Sequence, residues 1–231
     1  MTMQRSPSAD LPESLLEFER LISDTSAALF AAPLDSLDLA IERSLERVRE
    51  FFQVDRCVLL SVGSGGEVVT VHLASYGEGI PPVSPDINLV ELFPWSRHRL
   101  LVERAPIRIS TLAELPPEAE IEFESWNLMG IRSALTLPIE SQGVINHLIL
   151  LNSVHRECEW PDAFVTRLRV LGEMLVSGME RAQMIRRCRQ SEHRLTLAAD
   201  LAGAGLWSVD TRTREVWGTE RLLGIFGYPP G

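Results

Sequence analysis

The chain contains no lysine: all 22 of its basic residues are arginine. Schiff-base catalysis on a lysine amine and regulation by lysine acetylation are therefore excluded. Cysteine is scarce, and Cys57, Cys158 and Cys188 are widely spaced and odd in number. That pattern argues against a disulfide framework and fits a reducing cytoplasm. No apolar run approaches the roughly 20 residues that span a bilayer, so membrane insertion is not expected. The polar start, Met1-Thr-Met-Gln-Arg-Ser, lacks the apolar stretch of a secretory signal. Positive charge is also in deficit: 32 acidic residues leave a net charge of −10, which disfavours nucleic acid and anionic lipid as partners.

Catalytic constellations are missing too. Gly63-Ser-Gly-Gly66 lacks the Lys-Ser/Thr of a phosphate loop and lies between two strand-like runs, so it is expected to be a hairpin turn. His155-Arg-Glu-Cys158 has the spacing of two metal ligands but no second pair nearby; His72, His98 and His147 stand on separate segments. No nucleophile–base or paired-carboxylate arrangement is evident, and the chain is expected to have no turnover of its own.

What is present is a core and a rod. Hydrophobic residues make up 45%, enough for a substantial interior. Leu15, Phe18, Ile22, Thr25 and Leu29 predict an amphipathic helix over residues 12–30. Leu37, Ile41, Leu45, Val48 and Phe52 predict a second helix after Pro33. Strands follow at 57–62 and 68–74, then a proline-rich stretch with a short strand at Ile107-Arg-Ile. A short helix over 118–127 ends at Gly130 in the role of a C-cap. Two more strands, 133–139 and 143–153, are joined by Ser141-Gln-Gly. From Pro161 to about Ala199 a helix carries Leu168, Leu171, Leu175, Gly178, Ala182 and Ile185 at three- and four-residue steps, the spacing of a helix-pairing face. Arg181, Arg186, Arg187, Arg189 and Arg194 on this rod are expected to be a solvated face paired with Glu180 and Glu192.

This order, with Met129-Gly-Ile-Arg-Ser-Ala-Leu-Thr-Leu-Pro-Ile, Gly143-Val-Ile-Asn-His-Leu-Ile-Leu-Leu and the closing Trp160-Pro-Asp…Met179-Glu-Arg-Ala, resembles the GAF domain family. The resemblance implies an α+β fold: a six-stranded antiparallel sheet with the terminal helices on one face and a loop-roofed small-molecule cavity on the other. Leu201-Ala-Gly-Ala-Gly-Leu-Trp-Ser-Val-Asp, Val216-Trp217 and Leu222 to Pro230 resemble the opening of a PAS domain, two strands and a helix. The implied organisation is a disordered 1–12, a sensory domain over 13–185, a helical signalling linker over 186–200 and a PAS-like fragment over 201–231. Such tandems resemble the cytoplasmic input half of a bacterial sensor histidine kinase or a diguanylate cyclase, with a downstream signalling domain of the same chain as partner. His193 departs from the kinase phosphoacceptor pattern, because Arg194 rather than an acid follows it.

Within that resemblance, Tyr76, Trp95, Trp126, Asn127 and His147 are the expected ligand-binding residues, being aromatic or polar and in or beside the roofing region. The ligand is an unidentified small molecule. The cysteines do not match bilin attachment or the methionine sulfoxide reductases of the family, and heme ligation by His147 is disfavoured against a hydrogen-bonded sheet histidine. A parallel homodimer is expected through Leu15, Phe18, Ile22, Leu168, Leu171, Leu175 and Ala182, since a separate helix already suffices to cover the sheet.

Overall fold

The computed structural model describes residues 11–227. The expected disorder of residues 1–12 therefore lies outside the described residues for its first ten positions, as does Tyr228-Pro-Pro; Leu11 and Pro12 are already helical. The chain divides into two compact units, up to Met179 and from Glu180 onward.

The first unit opens with helices α1 (Leu11–Ala31) and α2 (Leu37–Phe52). The α2 stripe Leu37, Ile41, Leu45, Val48 and Phe52 is entirely buried, as its spacing requires. Gln53 ends α2 in the left-handed conformation, its N–H returning to the last turn. A six-stranded sheet follows, with strands β1 (Arg56–Val62), β2 (Val68–Tyr76), β3 (Asp86–Asn88), β4 (Ile107–Ile109), β5 (Ser133–Ser141) and β6 (Val144–Ser153). Their order is β3-β2-β1-β6-β5-β4 and every pairing is antiparallel. Residues 56–60 of β1 and 133–139 of β5 are buried without interruption. That explains the mostly apolar character of 57–60 and 134–139: both faces of the sheet are covered.

Helix α6 (Asp162–Leu201) starts in this unit. It lies directly on β5 and β6, because a Cβ at Gly172 would stand 2.6 Å from Ile139 Cδ1 and 3.6 Å from Ile149 Cγ2. Phe18 of α1 meets Phe52 of α2 at 5.3 Å and Phe164 of α6 at 5.8 Å between ring centroids. Arg167 of α6 donates to Glu19 of α1 at 2.7 Å. The expected pairing seam is thereby corrected. Phe18, Leu168, Leu171 and Leu175 are each fully buried inside a single chain. Leu15 and Ile22 are half-buried, and Ala182 is buried. Helical spacing marks an apolar stripe but not what covers it, and for Leu168, Leu171 and Leu175 α1, α2 and the sheet do so.

Over the opposite face of the sheet lie helices α3 (Leu89–Leu92) and α4 (Pro94–Arg97), a π-helical turn (His98–Val102) and helix α5 (Glu120–Leu128). Asn88 caps α3 through its side chain, and Gly130 closes α5 at a φ of 70°, a conformation that favours glycine. The second unit contains the remainder of α6, a hairpin of β7 (Trp207–Val209) and β8 (Val216–Gly218), and helix α7 (Glu220–Ile225). Trp207, Val216 and Trp217 are largely exposed there.

Candidate functional site

A cavity of about 80 Å³ lies between the sheet and the roof of short helices. Leu60 of β1, Val69 of β2 and Leu148 and Leu150 of β6 form its floor. Phe93, Leu100 and Trp126 close it from above, with Ile107 and Ile131 at the side. A β-bulge shapes this floor. The register of β1 on β2 slips between Leu59 and Leu60, leaving His72 as the extra residue. Val69 and Val71 on one side of the bulge and Ala74 and Tyr76 on the other all pack against the cavity-side core, although strict alternation would separate them.

Four buried polar side chains stand in or beside this apolar setting. Asn152 lines the cavity, is 1% exposed, and neither Oδ1 nor Nδ2 has a partner among the described residues. Ser96 lines it from α4, and its Oγ is likewise buried and unpartnered. Behind Ser96, the fully buried Glu122 accepts the Ser96 N–H at 2.9 Å through Oε1, while Oε2 has no partner. Arg56, paired in register with both Asn152 and Tyr76, is 4% exposed with Nε and Nη1 unpartnered. Burial lowers its pKa, partly offset by Tyr76 and Asp55. Buried polar groups normally find partners, so this concentration marks the site.

Of the residues expected at a ligand, Trp126 lines the cavity. Tyr76 and Trp95 are half-buried and pack against the core around it. Asn127 and His147 are corrections. Asn127 is exposed and borders a separate surface recess with Arg132 and Glu157. His147 alternates with Leu148 and Leu150, so it belongs to the opposite face, where its ring stands 6.3 Å from that of His72. Sequence reasoning missed Arg56, Asn152, Ser96 and Glu122. A signal existed for Asn152: stepping by two from Leu148 and Leu150 reaches a polar residue inside a buried strand. Glu122 shares a helix face with Ala119 and Trp126, which also distinguished it from Glu118, Glu120 and Glu124.

The His155 to Cys158 loop has a structural task. Asp55 accepts hydrogen bonds from Ser153 Oγ, Val154 N–H and His155 N–H, and lies 2.7 Å from His155 Nδ1. Arg156 donates to the carbonyls of Phe52 and Gln53 at the end of α2. Cys158 is buried. Among the described residues no cluster of three or more metal-ligating side chains occurs.

The model of the GAF domain family matches residues 36–177. No curated protein matches the chain. Among solved structures, the phycoerythrobilin-bound GAF domain of a cyanobacterial phytochrome aligns with a TM-score of 0.61 at 14% identity, over 74% of this chain and 98% of that one. The free methionine-R-sulfoxide reductase of Neisseria meningitidis, in complex with its substrate, aligns with a TM-score of 0.57 at 11% identity, over 80% and 99%. The blue-light absorbing form of the Thermosynechococcus elongatus PixJ GAF domain gives 0.53 at 16%, over 75% and 95%. At such identities the likeness concerns the fold.

The residues around this cavity do not fit a bilin or a heme. Cys57 alternates away from Val58 and Leu60 onto the helix-covered face, and Cys158 lies beyond β6. Among the described residues no cysteine or histidine lines the cavity, so neither a thioether linkage nor an axial imidazole is at hand. Its volume is also well below the roughly 300 Å³ at which sites for larger ligands begin. With the sheet order, the helix-covered face and the roofed cavity in place, and more than half of the sequence matched by the family model, the chain belongs to the GAF domain family, a family of sensory ligand-binding modules.

Proposed function

We propose that this chain is the sensory input part of a bacterial signal-transduction protein, in which a small molecule in the cavity biases helix α6. The observation that carries this reading is the cavity itself, apolar over most of its lining yet holding buried polar atoms of Asn152 and Ser96 that no group among the described residues satisfies. A ligand that binds one arrangement of floor and roof better shifts a two-state equilibrium toward it. The route to α6 is short. Leu148 and Leu150 line the cavity, while Ile149 between them faces Gly172 of α6 through the same strand. The finer context is part of the proposal: a cytoplasmic, parallel homodimer without turnover of its own, followed by a PAS-like domain and a histidine kinase, or alternatively a diguanylate cyclase, as output. The order β7-β8-α7 supports the PAS-like assignment. Among the described residues no helix is long and apolar enough to cross a membrane.

The small volume, about 80 Å³, favours a second reading, a ligand-free dimerisation scaffold whose cavity its own side chains nearly fill. Native mass spectrometry of the purified chain, with hydrogen exchange of β6 and α6 during a small-molecule screen, separates the two. The sensory reading expects a retained or added molecule that slows exchange in β6 and in residues 162–179. A chain that binds nothing, with unchanged exchange, supports the scaffold. ATP hydrolysis or cyclic dinucleotide synthesis above a heat-treated control would overturn the non-enzymatic part.

A further inference from the structure

A buried charge stands next to the polar end of the cavity, although it is not itself part of the lining. Arg56 of β1 is paired with Tyr76 of β2 on one side and Asn152 of β6 on the other. Directly paired side chains project to the same face, with Cβ atoms about 5 Å apart. Asn152 lines the cavity, so Arg56 stands beside it on the cavity side of the sheet. Arg56 is 4% exposed, and among the described residues its Nε and Nη1 make no hydrogen bond. Among the described residues it forms no ion pair; the neighbouring carboxylate of Asp55 is engaged by Ser153, Val154 and His155. A guanidinium stays charged under all ordinary conditions, and burying two of its nitrogens without hydrogen-bond partners is unfavourable. Asn152 adds an amide donor at the same place, also unpartnered.

We propose that this end of the cavity is the head-group site for a small organic monoanion, a short-chain carboxylate, bound through Arg56 and the Asn152 amide with its hydrocarbon part among Leu60, Leu148 and Leu150. The proposal rests on the ligand-binding reading above and names the ligand class. Charge selects at most a monoanion, because one arginine, with the Glu122 carboxyl behind Ser96 in the roof, leaves a phosphate dianion uncompensated in an apolar cavity. Shape selects a carboxylate, whose planar oxygens match guanidinium and amide donors. Size selects a short chain: about 80 Å³ takes only a handful of water-sized groups at roughly 10–15 Å³ each.

Isothermal titration calorimetry of the full chain with acetate, butyrate, isovalerate and hexanoate, each against its neutral amide, tests the proposal. At least one acid is expected to bind once per chain, and its amide to bind weaker by roughly tenfold or more, the loss of a charge-assisted hydrogen bond. Arg56→Met keeps the stem and removes the charge. It is expected to raise the thermal midpoint of the ligand-free protein while abolishing the response to acids. Asn152→Asp, which sets a second negative charge beside the head group, is expected to abolish acid binding as well. Should either variant fail to fold, the acid–amide comparison on the unaltered chain still decides. Acids that bind no tighter than their amides, or not at all, overturn the proposal. In that event, native mass spectrometry detecting another molecule leaves the sensory reading standing, whereas a cavity that takes only water removes both.

Discussion

Asp55 joins the start of β1 to the loop leaving β6, and its ionisation is tied to folding. Burial alone would raise its pKa, but hydrogen bonds from the His155 ring, Val154 N–H, Ser153 Oγ and His155 N–H outweigh it and hold the carboxyl below its ordinary range. A lowered folded-state value means the stabilisation is complete above the unfolded value near 4 and fades as pH falls below it. Asp55→Asn should therefore cost about 1–2 kcal/mol in neutral denaturant melts, with the gap to the unaltered chain closing under acid conditions. A gap that is constant with pH would show that packing, not charge, is responsible. The cysteines differ in a comparable way. Burial pushes the thiols of Cys57 and Cys158 up, whereas Cys188 is exposed on α6. In the native protein a thiol reagent should label Cys188 and leave Cys57 and Cys158 untouched until unfolding, read by mass spectrometry.

Helix α6 carries two glycines that sequence alone cannot tell apart. A Cβ at Gly172 would stand 2.6 Å from Ile139 Cδ1 and 3.2 Å from Cγ1, and Ile139 is fully buried. At Gly178 a Cβ would meet no atom of the described residues within 4 Å beyond its own helix backbone. Gly178→Ala should stabilise by about 0.5–1 kcal/mol, the helix-propensity difference. Gly172→Ala should instead destabilise by about 1 kcal/mol, as overpacking exceeds the same propensity gain. Thermal melts showing the same sign for both would refute the close approach of α6 to β5. The elements themselves were largely legible: heptad-like stripes predicted α1, α2 and α6, and apolar runs bounded by glycine predicted β1, β5 and β6. The bulge at His72 was not legible, because the slip arises from the pairing of two strands and leaves no mark in either one. Nor were α3, α4 and the π-helical turn, too short to show a period.

For the whole molecule the open question is the assembly. With Phe18, Leu168, Leu171 and Leu175 enclosed by their own chain, a homodimer must draw on other side chains. Met184, Ile185 and Leu195 of α6 are exposed, and a helix segment exposed over most of its surface is only marginally stable alone. The proposed dimer therefore predicts that Ile185→Arg and Leu195→Arg together convert it to a monomer in multi-angle light scattering, with melting of the first unit unchanged. An unaltered chain that is monomeric at micromolar concentration, where interfaces of ordinary size are populated, contradicts the dimer.

The amino-acid sequence by itself determined the class of fold, because periodicity, turn chemistry and the order of apolar runs are local properties that one strand or helix carries alone. It also determined the broad character of the chain, acidic, without lysine and with few cysteines. Which residues meet in the cavity was decided by tertiary structure. Arg56, Tyr76 and Asn152 are brought side by side by the register of three strands, and Ser96 and Glu122 by the folding of the roof over them. The burial of the α6 leucines was decided in the same way, since an apolar stripe is equally suited to a partner's helix and to the chain's own sheet. Only the packing of α1, α2 and β5–β6 around it selects the second.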